Sequence, residues 1–109
     1  MVFNELKKYL NGKIYKITNT VNDEIYVGST HHHLIKRWGQ HISYAYDDDN
    51  IHKPLYKMIR DYGYERFKIE LIKDFPCISR KQLEIEELTY IKQYGTLNIR
   101  GNDNSKGRR

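Results

Sequence analysis

Two short runs of β-branched and aromatic residues, Ile14-Tyr15-Lys16-Ile17-Thr18 and Glu24-Ile25-Tyr26-Val27-Gly28, flank a five-residue stretch of turn chemistry, Asn19-Thr20-Val21-Asn22-Asp23. This pattern constrains the chain more than any other, because it reads as an antiparallel hairpin. Asn and Asp tolerate positive φ, which suits the turn. With an even-length loop, odd residues of the first strand share a face with even residues of the second. Centring the loop on Asn22-Asp23 therefore puts Tyr15 and Tyr26 on one face, whereas an odd-length loop would separate them. Two tyrosines on one face are either aromatic core or a pair of phenols presented to a site.

A chain of 109 residues has room for one core, so a single domain is expected over 1–109, with a loose tail from about residue 103. Lys and Arg number 19 against 14 Asp and Glu, for a formal charge of +5. That excess favours a polyanionic partner. Ten tyrosines can hydrogen-bond phosphates or stack on bases, and they also serve as amphipathic core. The single Cys77 has no disulfide or zinc partner, which fits a reducing compartment. Neither a membrane-spanning apolar run nor a basic-then-apolar leader is visible, so a soluble, intracellular protein with no membrane partner is expected.

Residues 3–10 read as a short leading helix with Phe3, Leu6 and Leu10 on one side, ended near Asn11-Gly12. After the hairpin, Ser29 and Thr30 can cap a helix from about His32 to Tyr46. Its apolar stripe is Leu34, Trp38, Ile42 and Ala45, and Arg37, His41 and Tyr44 form a second stripe on the immediate flank. Pro54 opens the next helix, whose buried side is Leu55, Met58, Ile59 and Tyr62, and Gly63 stops it. Arg66 to Lys73 alternates as a third strand, with Phe67, Ile69 and Leu71 on one face. Ser79-Arg80-Lys81-Gln82 is a capping box for a last helix running to about Tyr94.

That last helix carries a carboxylate among apolar residues. Leu83, Leu88, Tyr90, Ile91 and Tyr94 share a broad sector, and Glu87 falls near its middle. An ionised carboxylate there needs a cation or several donors. A salt bridge to a nearby Lys or Arg is one solution. A divalent metal held against a phosphate is the other, since Mg²⁺ takes most of its ligands from water and substrate. Two tyrosines, an Arg/His stripe and a lone acid supply the parts for phosphodiester hydrolysis: an Arg for the non-bridging oxygens, a metal, and a Tyr or His as base. The run His31-His32-His33 does not have zinc spacing and reads as a loop touching solvent or DNA.

Taken in order, Lys13-Ile14-Tyr15, Tyr26-Val27-Gly28, the Arg37-x-x-x-His41 step and Glu87 four residues before Ile91 resemble the GIY-YIG nuclease superfamily. The resemblance spans about residues 12–102. Lys53-Pro54-Leu55-Tyr56 and Asp61-Tyr62-Gly63 are similar to homing-endonuclease-like members from phages and large viruses. Lys13 stands where the family has its first Gly, and Val27 where it has Ile. The resemblance implies an α+β fold, a small three-stranded antiparallel sheet flanked by three or four helices. It also implies cleavage of DNA with Mg²⁺, Mn²⁺ substituting, by water attack around one metal. By that analogy Glu87 binds the metal and Arg37 contacts the scissile phosphate. Tyr15 is the base, helped by His41, with Tyr26 positioning water or phosphate, or itself the base. The family's late Asn is matched by Asn98, with Asn102 the alternative. Lys13, Lys36, Arg37, Tyr44, Lys53 and Tyr56 are the candidate DNA contacts. Strong sequence specificity would need a homodimer, unusual loops or a separate DNA-binding subunit. A basic nucleic-acid-binding domain without turnover and a protein-docking domain are the competing functions.

Overall fold

The structure, a computed structural model, describes residues 7–98. Strands β1 (Lys13–Asn19), β2 (Tyr26–Thr30) and β3 (Phe67–Asp74) form one antiparallel sheet in the order β2-β1-β3. Helices α1 (Leu34–Ala45), α2 (Pro54–Tyr62) and α3 (Arg80–Tyr94) complete the α+β fold. Because β1 is central, it is covered on both faces: neighbouring Ile14 and Tyr15 are both fully buried. On one side Tyr15 and Ile17 pack with Ala45 of α1 and with Leu55, Tyr56 and Ile59 of α2. On the other, Ile14 and Val27 meet Leu83 and Ile91 of α3. Each such apolar side chain contributes about 1.5–3 kcal/mol on burial, so both layers are needed to hold the central strand.

The hairpin register pairs Ile17 with Tyr26 and Tyr15 with Gly28, which sets both tyrosines on one face. Its turn is centred one residue earlier than Asn22-Asp23 and uses no positive φ; among the described residues only Gly63 has one. Side-chain bonds shape it instead. Asn19 Oδ1 accepts from the amides of Val21 and Asn22, both at 2.8 Å, and Asn22 Oδ1 accepts from Glu24 at 2.9 Å. The second strand begins at Tyr26, not Glu24, because the Ile25 backbone is taken by the chain after α3. The amides of Thr96 and Leu97 donate to Ile25 O at 2.9 and 3.1 Å.

Four further expectations are corrected. In β3, Ile14 pairs with Lys73 but Tyr15 with Leu71, so a bulge at Ile72 interrupts the alternation. Ile72 packs beside Ile14 and Val27, and Leu71 is left exposed. In α2 the buried arc is Leu55, Tyr56 and Ile59, with Tyr62 exposed, because the Tyr56 hydroxyl has a buried partner in His41. Helix α1 starts at Leu34 without a side-chain cap, since Ser29 and Thr30 belong to β2. Before β1 lies a short turn (Tyr9–Asn11) in which Tyr9 packs on the α3 layer and Leu10 is exposed; Phe3 and Leu6 lie outside the described residues.

Candidate active site

Helix α3 begins as its sequence dictates: Ser79 Oγ accepts from the Gln82 amide at 3.2 Å, and Gln82 Oε1 accepts from Ile78 N at 2.9 Å. Its buried ridge is narrower than the apolar sector suggested. Leu83 and Ile91 are buried, Tyr90 is half-buried, and Leu88 and Tyr94 are exposed at 49% and 41%. Glu87 lies midway on that ridge, one i+4 step after Leu83 and one before Ile91. Its carboxylate accepts from the hydroxyl of Ser29. Burial lifts the Glu87 pKa above the usual carboxylate range, against the lowering effect of the Ser29 hydrogen bond and of Arg37. Among the described residues no salt bridge neutralises it; Arg80, two turns back on the same helix, is bound to Glu84 at 2.9 Å.

The sheet supplies the phenols. Tyr15 points from β1 across β2, and this close approach is open only because Gly28 faces it: a Cβ at Gly28 would stand 2.5 Å from the Tyr15 hydroxyl oxygen. The hydroxyl lies 2.7 Å from His41 Nε2 and accepts from Arg37 Nε at 3.1 Å. Arg37 also donates through Nη1 to Gln40 Oε1 at 3.0 Å. The Tyr26 ring sits 6.5 Å from that of Tyr15 and 5.5 Å from that of His41. Burial raises the pKa of both phenols; Arg37 opposes that rise at Tyr15. His41 is fully buried, and burial with the adjacent Arg37 charge drives its pKa down to about 3, so the ring is neutral at physiological pH.

Tyr15, Tyr26, Arg37 and Glu87 open onto one cleft of about 520 Å³. Lys8, His31, His32 and Arg80 add basic and imidazole groups to its walls. Both histidine pKa values are lowered, by burial first and by neighbouring cations second. Among the described residues no group of three or more His, Cys, Asp or Glu side chains could hold a metal ion by itself. Of the two carboxylates lining the cleft, Glu84 is bound to Arg80, and Glu87 could hold a hard cation that completes its shell with water and substrate oxygens.

The remaining candidates are placed elsewhere. Asn98 is buried at the edge of the sheet, where its side chain imitates a strand: Oδ1 accepts from Val27 N at 2.6 Å and Nδ2 donates to Val27 O at 2.7 Å. It lies outside the residues lining the cleft, and Asn102 lies outside the described residues. Tyr56, expected on the DNA-facing surface, is instead core: it is 8% exposed, with its hydroxyl 2.9 Å from His41 Nδ1. Lys36, Lys53 and Tyr44 are exposed, and Lys13 Nζ donates to Asn11 O at 2.9 Å. Ser29, Gln40 and Lys8 were not singled out for the site. Ser29 was legible as the residue two past Val27, on the same strand face toward α3, and Gln40 as the i+3 neighbour of Arg37.

Residues 11–100 match the sequence profile of the GIY-YIG catalytic domain. The chain is 36% identical over 87 residues to protein 019R of Invertebrate iridescent virus 6, an alignment covering 80% of this chain and 30% of that protein. It is 33% identical over 90 residues to protein 146R of the same virus, covering 80% and 35%. The chain thus spans about a third of the length of the curated relatives it matches. The fold superposes on the catalytic domain of the intron endonuclease I-TevI, in an alanine-substituted form, with a TM-score of 0.62 and 25% identity, covering 76% of this chain and 82% of that one. A second structure, of the catalytic domain of homing endonuclease I-TevI, gives 0.57 at 24% identity, covering 76% and 87%. With both half-motifs paired across β1 and β2 and the profile matched by residues 11–100, this chain belongs to the GIY-YIG catalytic domain family.

Proposed function

We propose that this domain is a DNA endonuclease that hydrolyses phosphodiester bonds with one divalent cation, Mg²⁺ or Mn²⁺ in its place, held by Glu87. The observation that carries the reading is the convergence of two phenols, a guanidinium and a half-buried carboxylate on one cleft. A module that only bound nucleic acid would gain nothing from a carboxylate facing a phosphate. When bound, the cation polarises the phosphoryl group and stabilises the leaving oxygen.

The protein's own groups divide the rest. Arg37 has one nitrogen on Tyr15 and borders the cleft, where its fork suits the non-bridging oxygens of the scissile phosphate. Tyr15 takes a proton from the attacking water and passes its own to His41 Nε2, 2.7 Å away. Tyr26 orients the water or phosphate from the same sheet face. Ser29 holds Glu87 in place. Asn98 acts at a distance, pinning β2 by its edge so that Tyr26 and Gly28 keep their positions. Lys36, Lys53, Tyr44 and Lys13 are proposed contacts to DNA outside the scissile step.

DNA as substrate implies an intracellular site of action. Choice of a DNA sequence is assigned to a second copy or to a separate DNA-binding segment or subunit, in keeping with relatives about three times as long as the matched part. The test is incubation of supercoiled plasmid with the protein in Mg²⁺ or EDTA. Nicking in Mg²⁺ alone is expected. Retention of DNA without nicking would replace this reading with a binding module.

A further inference from the structure

The imidazole of His41 is held at both nitrogens. Nε2 faces the Tyr15 hydroxyl at 2.7 Å, and Nδ1 faces the Tyr56 hydroxyl at 2.9 Å. The Tyr15 oxygen already accepts from Arg37 Nε, so its own proton has Nε2 as acceptor. A neutral ring with its lone pair on Nε2 carries its hydrogen on Nδ1. That N–H is then donated to the Tyr56 oxygen.

We propose that Tyr56 is a positioning residue for cleavage: it fixes His41 in the Nδ1–H tautomer and takes that proton as Nε2 receives the one from Tyr15. The proposal rests on the nuclease reading for its second half and on geometry alone for its first. The protons balance. One leaves water for the Tyr15 oxygen, the Tyr15 proton moves to Nε2, the Nδ1 proton moves to the Tyr56 oxygen, and the Tyr56 proton leaves to solvent water. The imidazole is neutral before and after. This matters because His41 is fully buried beside Arg37, where a second ring proton is strongly disfavoured. Tyr56 is 8% exposed and its ring meets the exposed Tyr44, which marks the outward end of the path.

The test uses the full chain with ¹⁵N-labelled histidine and no metal, followed by plasmid nicking in Mg²⁺. Wild-type His41 is expected to show a protonated Nδ1 and an unprotonated Nε2. Tyr56→Phe is expected to shift the ring toward the Nε2–H tautomer. It should also lower kcat on the order of tenfold to a hundredfold, with KM for DNA within about twofold. A purely structural role would not move the tautomer and kcat together. A wild-type Nε2–H signal overturns the proposal, as does a Tyr56→Phe protein that cuts with wild-type kcat. Where Tyr56→Phe fails to fold, the wild-type spectrum decides. A wild-type protein that never cuts DNA refutes the nuclease reading and the transfer step, while the spectrum still decides the tautomer.

Discussion

Replacing Gly28 with alanine tests how the site is assembled. The added methyl would stand 2.5 Å from the Tyr15 hydroxyl oxygen and 2.6 Å from Cζ, where ordinary contact begins at 3.4 Å. Tyr15 must therefore retreat by 3.4 − 2.5, or 0.9 Å, or β2 must part from β1. Neither is easy: Tyr15 is fully buried, and its hydroxyl is tied to His41 and Arg37. Overpacking of this kind costs about 1–3 kcal/mol, which in a domain of this size lowers Tm by about 4–8 °C per kcal/mol. A displacement near 1 Å of a reacting group costs on the order of a hundredfold in rate. Gly39→Ala is the matched control, because its Cβ meets nothing within 4 Å inside α1. It should gain about 0.5–1 kcal/mol from helix propensity. Thermal unfolding by circular dichroism and single-turnover nicking read both effects. A Gly28→Ala protein that melts and cuts like wild type would refute the pinning of Tyr15 beneath β2.

Further outcomes follow from the same contacts. Tyr15→Phe keeps the ring but strips a partner from buried His41 and from Arg37, so it should lose nicking while costing about 1–3 kcal/mol in urea unfolding; a variant cutting at the wild-type rate contradicts its role as base. Arg37→Ala should fold, by circular dichroism, and fail to nick; retained nicking contradicts its phosphate role. Asn98→Ala removes both side-chain bonds to Val27 and should cost about 1–3 kcal/mol and speed hydrogen exchange of the Val27 amide; unchanged exchange contradicts the edge clamp. The raised pKa of Glu87 means that the folded state holds a proton the unfolded chain has released. Wild-type stability is then lost as pH rises from the unfolded carboxyl value through the folded one. Glu87→Gln lacks this titration, so in metal-free buffer its Tm should gain on wild type as pH rises above about 4; a pH-independent difference contradicts the raised pKa of the half-buried, metal-free carboxylate.

Much of this was legible before the fold was known, because it depends on periodicity. The parity of the hairpin put Tyr15 and Tyr26 together, and the helical step put Glu87 on the inward ridge of α3. What the sequence hid depends on partners far along the chain. The bulge at Ile72 exists only against β1, and it undid the strict alternation of β3. Ser29 looked like a helix cap because capping and hydrogen-bonding to a remote carboxylate use the same hydroxyl. His41 was expected on the flank of α1 yet is buried, because Tyr15 and Tyr56 satisfy both ring nitrogens from two other elements. The same bonds drew Tyr56 inward, away from the surface where its neighbour Lys53 lies.

The most direct measurement is single-turnover cleavage of plasmid DNA by Glu87→Gln in saturating Mg²⁺, with DNA affinity measured on the same preparation. The account predicts that the variant binds DNA at least as tightly as wild type and does not cut it. Cleavage by Glu87→Gln at the wild-type rate would contradict the assignment of this inward-facing acid to the metal.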